Sequence, residues 1–278
     1  MFAPGRPSRA AVVTTYAVGV VALLLFLFPI FWMVLTSVKT TAQAFTSDPV
    51  LVFQPTLDNY REVLFERGFS KYIGNSLVIG VIATLLTLVL AVTVAYPLAR
   101  YDLRGGRQIT SWILSLRIIP PIVSVVPLYI IFSNLNLVDQ YPALIIMYTF
   151  MNLPLAVWML RGFFADIPRE LEEAALVDGS SPVGGFFRIV LPLVVPGLVA
   201  TGMLSLIFCW NEFLFANVLT AARAKTAPVG LTEYATPTGV LWTQIMAAGT
   251  VVVLPVMVVG VFIQGFLVRG LAAGAVKG

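Results

Sequence analysis

Long runs without a single charge constrain this chain most. Residues 10–38, 72–99 and 234–268 contain no Asp, Glu, Lys or Arg. A bilayer hydrocarbon core of about 30 Å takes roughly 20 apolar residues of helix, so each run is long enough to cross it with some tilt. Composition points the same way. The chain is 59% hydrophobic and 11% charged, whereas ordinary globular domains carry about 25% charged residues, and so little polar surface cannot cover a fold in water.

Three further apolar stretches complete a set of six. Residues 109–132 hold Arg117 and the prolines Pro120, Pro121 and Pro127, which predicts a kinked or broken helix. Residues 141–160 form the fourth, and residues 193–219, enclosing Glu212, form the fifth. The expected fold class is an all-α polytopic membrane protein: a single transmembrane domain over 1–278 with spans near 10–36, 72–99, 109–132, 141–160, 193–219 and 241–268. Arg6 and Arg9 before the first span place the N-terminus in the cytoplasm, and an even number of spans returns the C-terminus there. Arg100, Arg104 and Arg107 in the loop after the second span agree, while 133–139, on the opposite side, has no basic residue. The formal net charge of +4 therefore reads as topology and not as nucleic-acid binding. The first run is too long for a signal-peptide core, so it is expected to remain as a helix.

With no histidine and one cysteine, the chain excludes an imidazole metal site, a Cys/His dyad and a disulfide. A serine nucleophile would need a lysine base, yet Lys39, Lys71, Lys225 and Lys277 all lie outside the spans. No lysine follows a glycine, so a P-loop for ATP is missing as well. A secondary, ion-coupled transporter is the alternative class. It calls for mid-membrane carboxylates and an inverted repeat, and Glu212 alone fits the first requirement.

Residues 161–192 break the charge rule for a cytoplasmic loop, carrying Asp166, Glu170, Glu172, Glu173 and Asp178 against Arg161, Arg169 and Arg188. The stretch reads as two short helices. Asp166 is suited to cap the first and Pro168 to its first turn, and Gly179 to a left-handed stop. Ser181-Pro182 starts the second. In the first, Leu171, Ala174, Ala175 and Asp178 share a narrow face of mostly small side chains that permits close docking. Gly184 and Gly185 each cost about 1 kcal/mol inside a helix and make the second marginal until it docks.

Within this loop Glu173-Ala174-Ala175, three residues, Gly179, nine residues, Ile189, one residue and Leu191-Pro192 match without a gap the EAA loop of binding-protein-dependent ATP-driven importers. The chain resembles the permease subunits of the carbohydrate-uptake group, of the maltose-importer type, and among them the shorter six-span partner. Asn75-Ser76, Ala99-Arg100-Tyr101, Arg104-Gly105-Gly106, Trp210-Asn211-Glu212 and the terminal Gly274-Ala275-Val276-Lys277-Gly278 support the resemblance over nearly the whole chain.

The resemblance implies a type I importer permease in a bacterial or archaeal cytoplasmic membrane. It implies that Glu173, Ala174, Ala175, Asp178, Gly179, Ile189, Leu191 and Pro192 dock into an ATPase subunit and transmit its closure. The implied partners are a second, non-identical permease, an ATPase dimer that binds ATP and Mg, an extracytoplasmic solute-binding protein, a sugar or polyol, and the bilayer. No cofactor is expected in this chain. The loop 220–240 with Pro237, Thr238 and Gly239 corresponds to a scoop that enters the opened binding protein, and the tail Gly274, Ala275, Val276, Lys277 and Gly278 to an insert between the ATPase subunits.

Charges inside spans are costly and face the bundle interior or water. Arg117, Asn152, Asn211 and Glu212 are therefore candidate polar contacts on a sugar path, with Trp210, Trp158 and Tyr148 as stacking faces. Alternatively, Arg117 snorkels towards the cytoplasm and Glu212 pairs with the partner permease.

Overall fold

A computed structural model of the chain describes residues 9–46, 50–237 and 239–275. In chain order the elements are α1 (Arg9–Ser37), α2 (Thr41–Ala44), α3 (Asp58–Arg61) with a π turn at Glu62–Glu66, and α4 (Phe69–Arg100). Then come α5 (Gly106–Ser115), α6 (Pro121–Asn134), α7 (Tyr141–Ala165) and α8 (Arg169–Val177). Helix α9 (Pro182–Gly185) passes through a π turn at Phe186–Val190 into α10 (Leu191–Asn211), which α11 (Leu214–Leu219) and α12 (Ala227–Gly230) follow. A 3-10 turn, Leu231–Tyr234, leads to the two-residue strands β1 (Ala235–Thr236) and β2 (Gly239–Val240), and α13 (Trp242–Ala275) closes the order.

Among the described residues, five helices are long and apolar enough to cross a bilayer: Val12–Ser37, Phe69–Arg100, Tyr141–Ala165, Pro182–Asn211 and Trp242–Phe262. The stretch 109–132 is broken, with α5 ending at Ser115 and α6 starting at Pro121. Pro120 is extended (φ −60°, ψ 124°), as a residue before proline prefers. Arg117 consequently sits in the turn between two helices and not inside a span. The fifth apolar helix also differs from expectation. It starts at Pro182, so the second short helix of the acidic loop is its first turn, and it stops at Asn211 instead of running to 219. Where Pro192 has no N–H to donate, the ladder has just widened into a π turn.

The chain forms two compact units. The first draws on Met1–Phe69 and Glu233–Val253. In it α1 is apolar on every side, with Leu25 and Phe26 among its exposed side chains, so its cover must be lipid or another subunit. Past its end, the Asn59 amide donates to the carbonyls of Ser37 and Lys39, both at 2.8 Å. The second unit, Ser70–Thr232 with Leu254–Gly278, holds the main packing. Fully buried Ala83, Ala91, Ala95 and Ala156 on α4 and α7 let backbones approach closely, as bilayer helices require in place of a hydrophobic drive. Ala83 belongs to one apolar cluster, with Ile79, Met147, Tyr148, Phe215 and Leu219. Ala91, Ala95 and Ala156 belong to the other, with Leu160, Phe164, Val190 and Val194. Gly197 lies flat on the Phe163 ring, where any Cβ would overlap it.

Candidate functional site

The acidic loop is built as a clamped helix. Pro168 stands at the N-cap of α8 with no side-chain cap, and Glu170 and Glu172 occupy the first turn, where they complement the helix dipole. Asp166, expected to cap this helix, instead ends α7 as its C-cap. The stop falls at Gly179 (φ +85°), with Ser180 N–H donating to Ala175 O at 2.9 Å and Gly179 N–H to Leu176 O at 3.1 Å. Ser181 Oγ then accepts from Gly184 N–H at 3.1 Å and caps α9. Of Gly184 and Gly185, expected only to weaken this helix, Gly184 has a positive role. A Cβ at Gly184 would press on the capping hydroxyl at 3.2 Å, whereas one at Gly185 would meet Ala175 at 3.9 Å, an ordinary contact.

The expected face of Leu171, Ala174, Ala175 and Asp178 is split. Ala175 turns inward and is buried, while Glu173, Ala174, Asp178 and Gly179 stay exposed beside the exposed apolar Leu176, Val177 and Phe187. Ile189 and Leu191 are half-buried and Pro192 is exposed at the root of α10.

What holds this surface in place was not legible in the motif. Glu172 turns away from its neighbour Glu173 to form an ion pair with Arg100, the last residue of α4. The Tyr96 hydroxyl donates to the other Glu172 oxygen at 2.8 Å, and Arg100 donates to Ile167 O at 2.8 Å. Arg161 Nε donates to Leu98 O at 3.3 Å. Tyr96 also packs at a tilt against Phe186 (centroids 4.7 Å) and edge-on against Phe164 (5.5 Å). The Arg100 side chain is only 5% exposed, so a helix that breaks the surface charge rule is tied to the end of an apolar span through a nearly dry pair. A sequence signal existed in Arg100, a lone arginine closing an uncharged run with an unmatched acid-rich loop downstream.

A cavity of about 620 Å³ opens between the turn at 116–121, α6, α7 and the end of α10. Of the expected path residues, Arg117, Asn152 and Glu212 line it, together with Tyr148. Arg117 lies over the Phe208 ring at 5.1 Å. The Asn152 amide donates to Tyr148 O at 2.9 Å and contacts Cys209 Sγ at 3.3 Å. Trp210 is buried elsewhere, Asn211 donates its amide back to Ile207 O at 2.9 Å, and Trp158 is exposed; none of the three lines the cavity. Glu212 is not a mid-helix charge. It is extended (φ −70°, ψ 124°) at the helix break, and its carboxylate oxygens accept from Phe215 N–H at 2.9 Å and Ala216 N–H at 3.0 Å. The residue caps α11 within the apolar region, satisfying donors that lipid cannot.

Beyond α11 a second knot secures residues 220–227. Asp139, in the left-handed region at φ +60°, accepts from the N–H groups of Ala221, Ala222, Arg223 and Ala224. Burial acts to raise its pKa, but these four donors overcome it and hold the carboxyl at about 2. Lys71 donates to Ala222 O, Asn75 to the carbonyls of Arg223 and Lys225, and Ser76 Oγ accepts from Ala227 N–H. Asn75 and Ser76 thus have a structural task that their place in the resemblance did not reveal, and Asp139 escaped the sequence reading.

Pro237 and Gly239 sit in a tight hairpin that pairs Ala235 with Val240 and Thr236 with Gly239. Gly239 (φ +131°) is held there by Thr236 Oγ1 donating to its carbonyl at 2.6 Å. Thr238 lies outside the described residues, as do Val276, Lys277 and Gly278 of the tail; the backbones of Gly274 and Ala275 end α13.

Apolar helices broken within the membrane region, with an EAA loop clamped to the span ends, define an importer permease. The chain belongs to the family described as binding-protein-dependent transport system inner membrane component, whose model matches residues 88–273. It is 36% identical to a sulfoquinovosyl glycerol transport system permease of Agrobacterium fabrum, over 100% of this chain and 96% of that one. It is 37% identical to a trehalose transport system permease of Mycobacterium tuberculosis, over 98% of each. In fold it matches a chain in the crystal structure of a bacterial ABC transporter involved in the import of the acidic polysaccharide alginate, with TM-score 0.76, 23% identity, and 94% of this chain and 98% of that one covered. The protein is therefore an inner-membrane permease of an ABC-type, binding-protein-dependent transport system.

Proposed function

We propose that this permease forms, with a second and non-identical permease, the path by which a sugar or polyol crosses the membrane after delivery by an extracytoplasmic binding protein. An ATPase dimer, holding ATP and Mg, supplies the energy. The observation that carries this reading is the presented surface of α8. Glu173, Ala174, Asp178 and Gly179 face outward while Glu172, one residue away, anchors the helix to α4 through Arg100. A lever needs both features, an exposed contact and a stiff root. Ala175, Ile189, Leu191 and Pro192 form that root, since Ala175 is buried and the other three stand where the π turn passes into the helix that leads to the cavity.

The names of the relatives, permeases for a sulfosugar glycerol and for trehalose, support the substrate class. On the path, Asn152 and Arg117 provide polar groups and Tyr148 an aromatic wall, a combination that suits sugar hydroxyls and C–H faces. Glu212 acts one step removed, fixing the helix break that shapes the wall. The hairpin at Pro237–Gly239 reaches the binding protein, and the tail meets the ATPase pair. Reconstitution tests the scheme. The chain alone should hydrolyse no ATP; with the second permease, the ATPase and a sugar-loaded binding protein, hydrolysis and uptake should appear together. Uptake by the chain in an ion gradient without ATP would refute it.

A further inference from the structure

The first compact unit contains a charged group that transport does not explain. Lys39 stands two residues past the end of α1 and is 3% exposed. Its ammonium lies over the rings of Trp32 (5.3 Å) and Phe53 (5.1 Å), and no acidic side chain among the described residues pairs with it. Its backbone is fixed on both sides: Lys39 N–H donates to Thr36 O, Asn59 donates to Ser37 O and Lys39 O, and Thr56 N–H donates to Val38 O. Lys39 lines a cavity of about 400 Å³ with Trp32, Thr36, Gln43 and Trp242. Among the described residues, then, the fold holds an ammonium without an acidic partner, fixed in place on the wall of an open space.

We propose that this cavity binds the anionic phosphate headgroup of a phospholipid in the leaflet that α1 reaches at Ser37. The orientation expected from Arg6 and Arg9 makes it the outer leaflet. Three features select a lipid. Trp32 near the end of α1 and Trp242 at the start of α13 stand where interfacial aromatics meet headgroups. The ammonium supplies the charge complement, and Thr36 and Gln43 offer hydrogen bonds to phosphate or glycerol oxygens. Phe28 stacks on Trp32 (6.0 Å) and is exposed, as is Phe31, so an apolar track for acyl chains runs from the cavity along α1.

The test uses the assembled importer in mixed phosphatidylcholine and phosphatidylglycerol nanodiscs, with native mass spectrometry counting lipids retained during delipidation. Phosphatidylglycerol should outlast phosphatidylcholine on the wild type. Lys39→Met, which keeps the apolar stem, should cut that retention about tenfold, the equivalent of one charge-assisted contact, and Lys39→Arg should restore most of it. Glycerol phosphate added in solution should not displace the lipid. Equal retention of the two lipids by the wild type overturns the proposal, and this comparison stands even if the Met variant fails to assemble. So does a Lys39→Met variant with unchanged retention but weaker stimulation by the binding protein, because the occupant is then a carboxylate of that protein. Displacement by glycerol phosphate likewise overturns it in favour of a soluble anion.

Discussion

The pair between Arg100 and Glu172 offers the sharpest test of how α8 is held. In Glu172→Gln the amide can still accept from Tyr96, but the Arg100 guanidinium, 5% exposed, keeps its charge without a partner. Stranding one member of a buried pair typically costs about 3–5 kcal/mol. Arg100 retains its bond to Ile167 O, so the expected loss is at the low end, about 3 kcal/mol. The converse change is milder. Arg100→Met strands Glu172, but its side chain is 20% exposed and hydrates, giving about 1–2 kcal/mol. The double variant removes both charges and should fall short of the sum by about 1.5 kcal/mol or more, within the range for directly interacting residues. Thermal unfolding of the assembled complex reads stability, and sugar taken up per ATP hydrolysed reads coupling. Both single variants should lower the coupling ratio while the complex still copurifies. Strict additivity of the two changes, or full coupling in Glu172→Gln, would refute the clamp.

Gly179→Leu should leave membrane abundance unchanged but depress transport. Its Cβ meets open space, so the whole cost is the left-handed backbone at φ +85°, about 1–2 kcal/mol; wild-type uptake and sugar-dependent ATP hydrolysis would count against the α8 surface. Glu212→Gln keeps one acceptor for the α11 cap and should cost about 1 kcal/mol of thermal stability with apparent sugar affinity intact, because both carboxylate oxygens already serve the backbone. A shift in sugar selectivity would make it a direct contact instead. Deleting Pro237–Gly239 should leave assembly and basal ATP hydrolysis in place and lower uptake at saturating binding protein; unchanged uptake reduces the hairpin to a connector. Asp139, held at about 2, stabilises the 220–227 knot fully above its ordinary value of about 3.9. That contribution is lost as pH falls from about 4 to about 2, and Asp139→Asn should flatten the pH dependence measured by amide exchange at Ala221–Ala224.

The membrane class, the break near Pro120 and the stop of the short acidic helix at Gly179 were legible in the sequence, because each depends on local chemistry. A run without charge must leave water, a proline lacks its donor, and Gly179 is the residue that tolerates a left-handed stop. The same local logic misplaced Asp166. It also carried the fifth span across Glu212, since hydropathy averages over a residue whose carboxylate ends one helix and caps the next. Tertiary structure decided the rest. Trp210 and Asn211 neighbour Glu212 in the chain yet turn away from the cavity, while Asn152 and Arg117 reach it from other elements. Glu172 finds Arg100 across 72 positions, and Asp139 finds the amides of 221–224 across more than 80. Such pairs are selected by how backbones meet, through buried alanines and Gly197, and by the demand that each buried polar group find a partner. No spacing along the chain encodes which partner that will be.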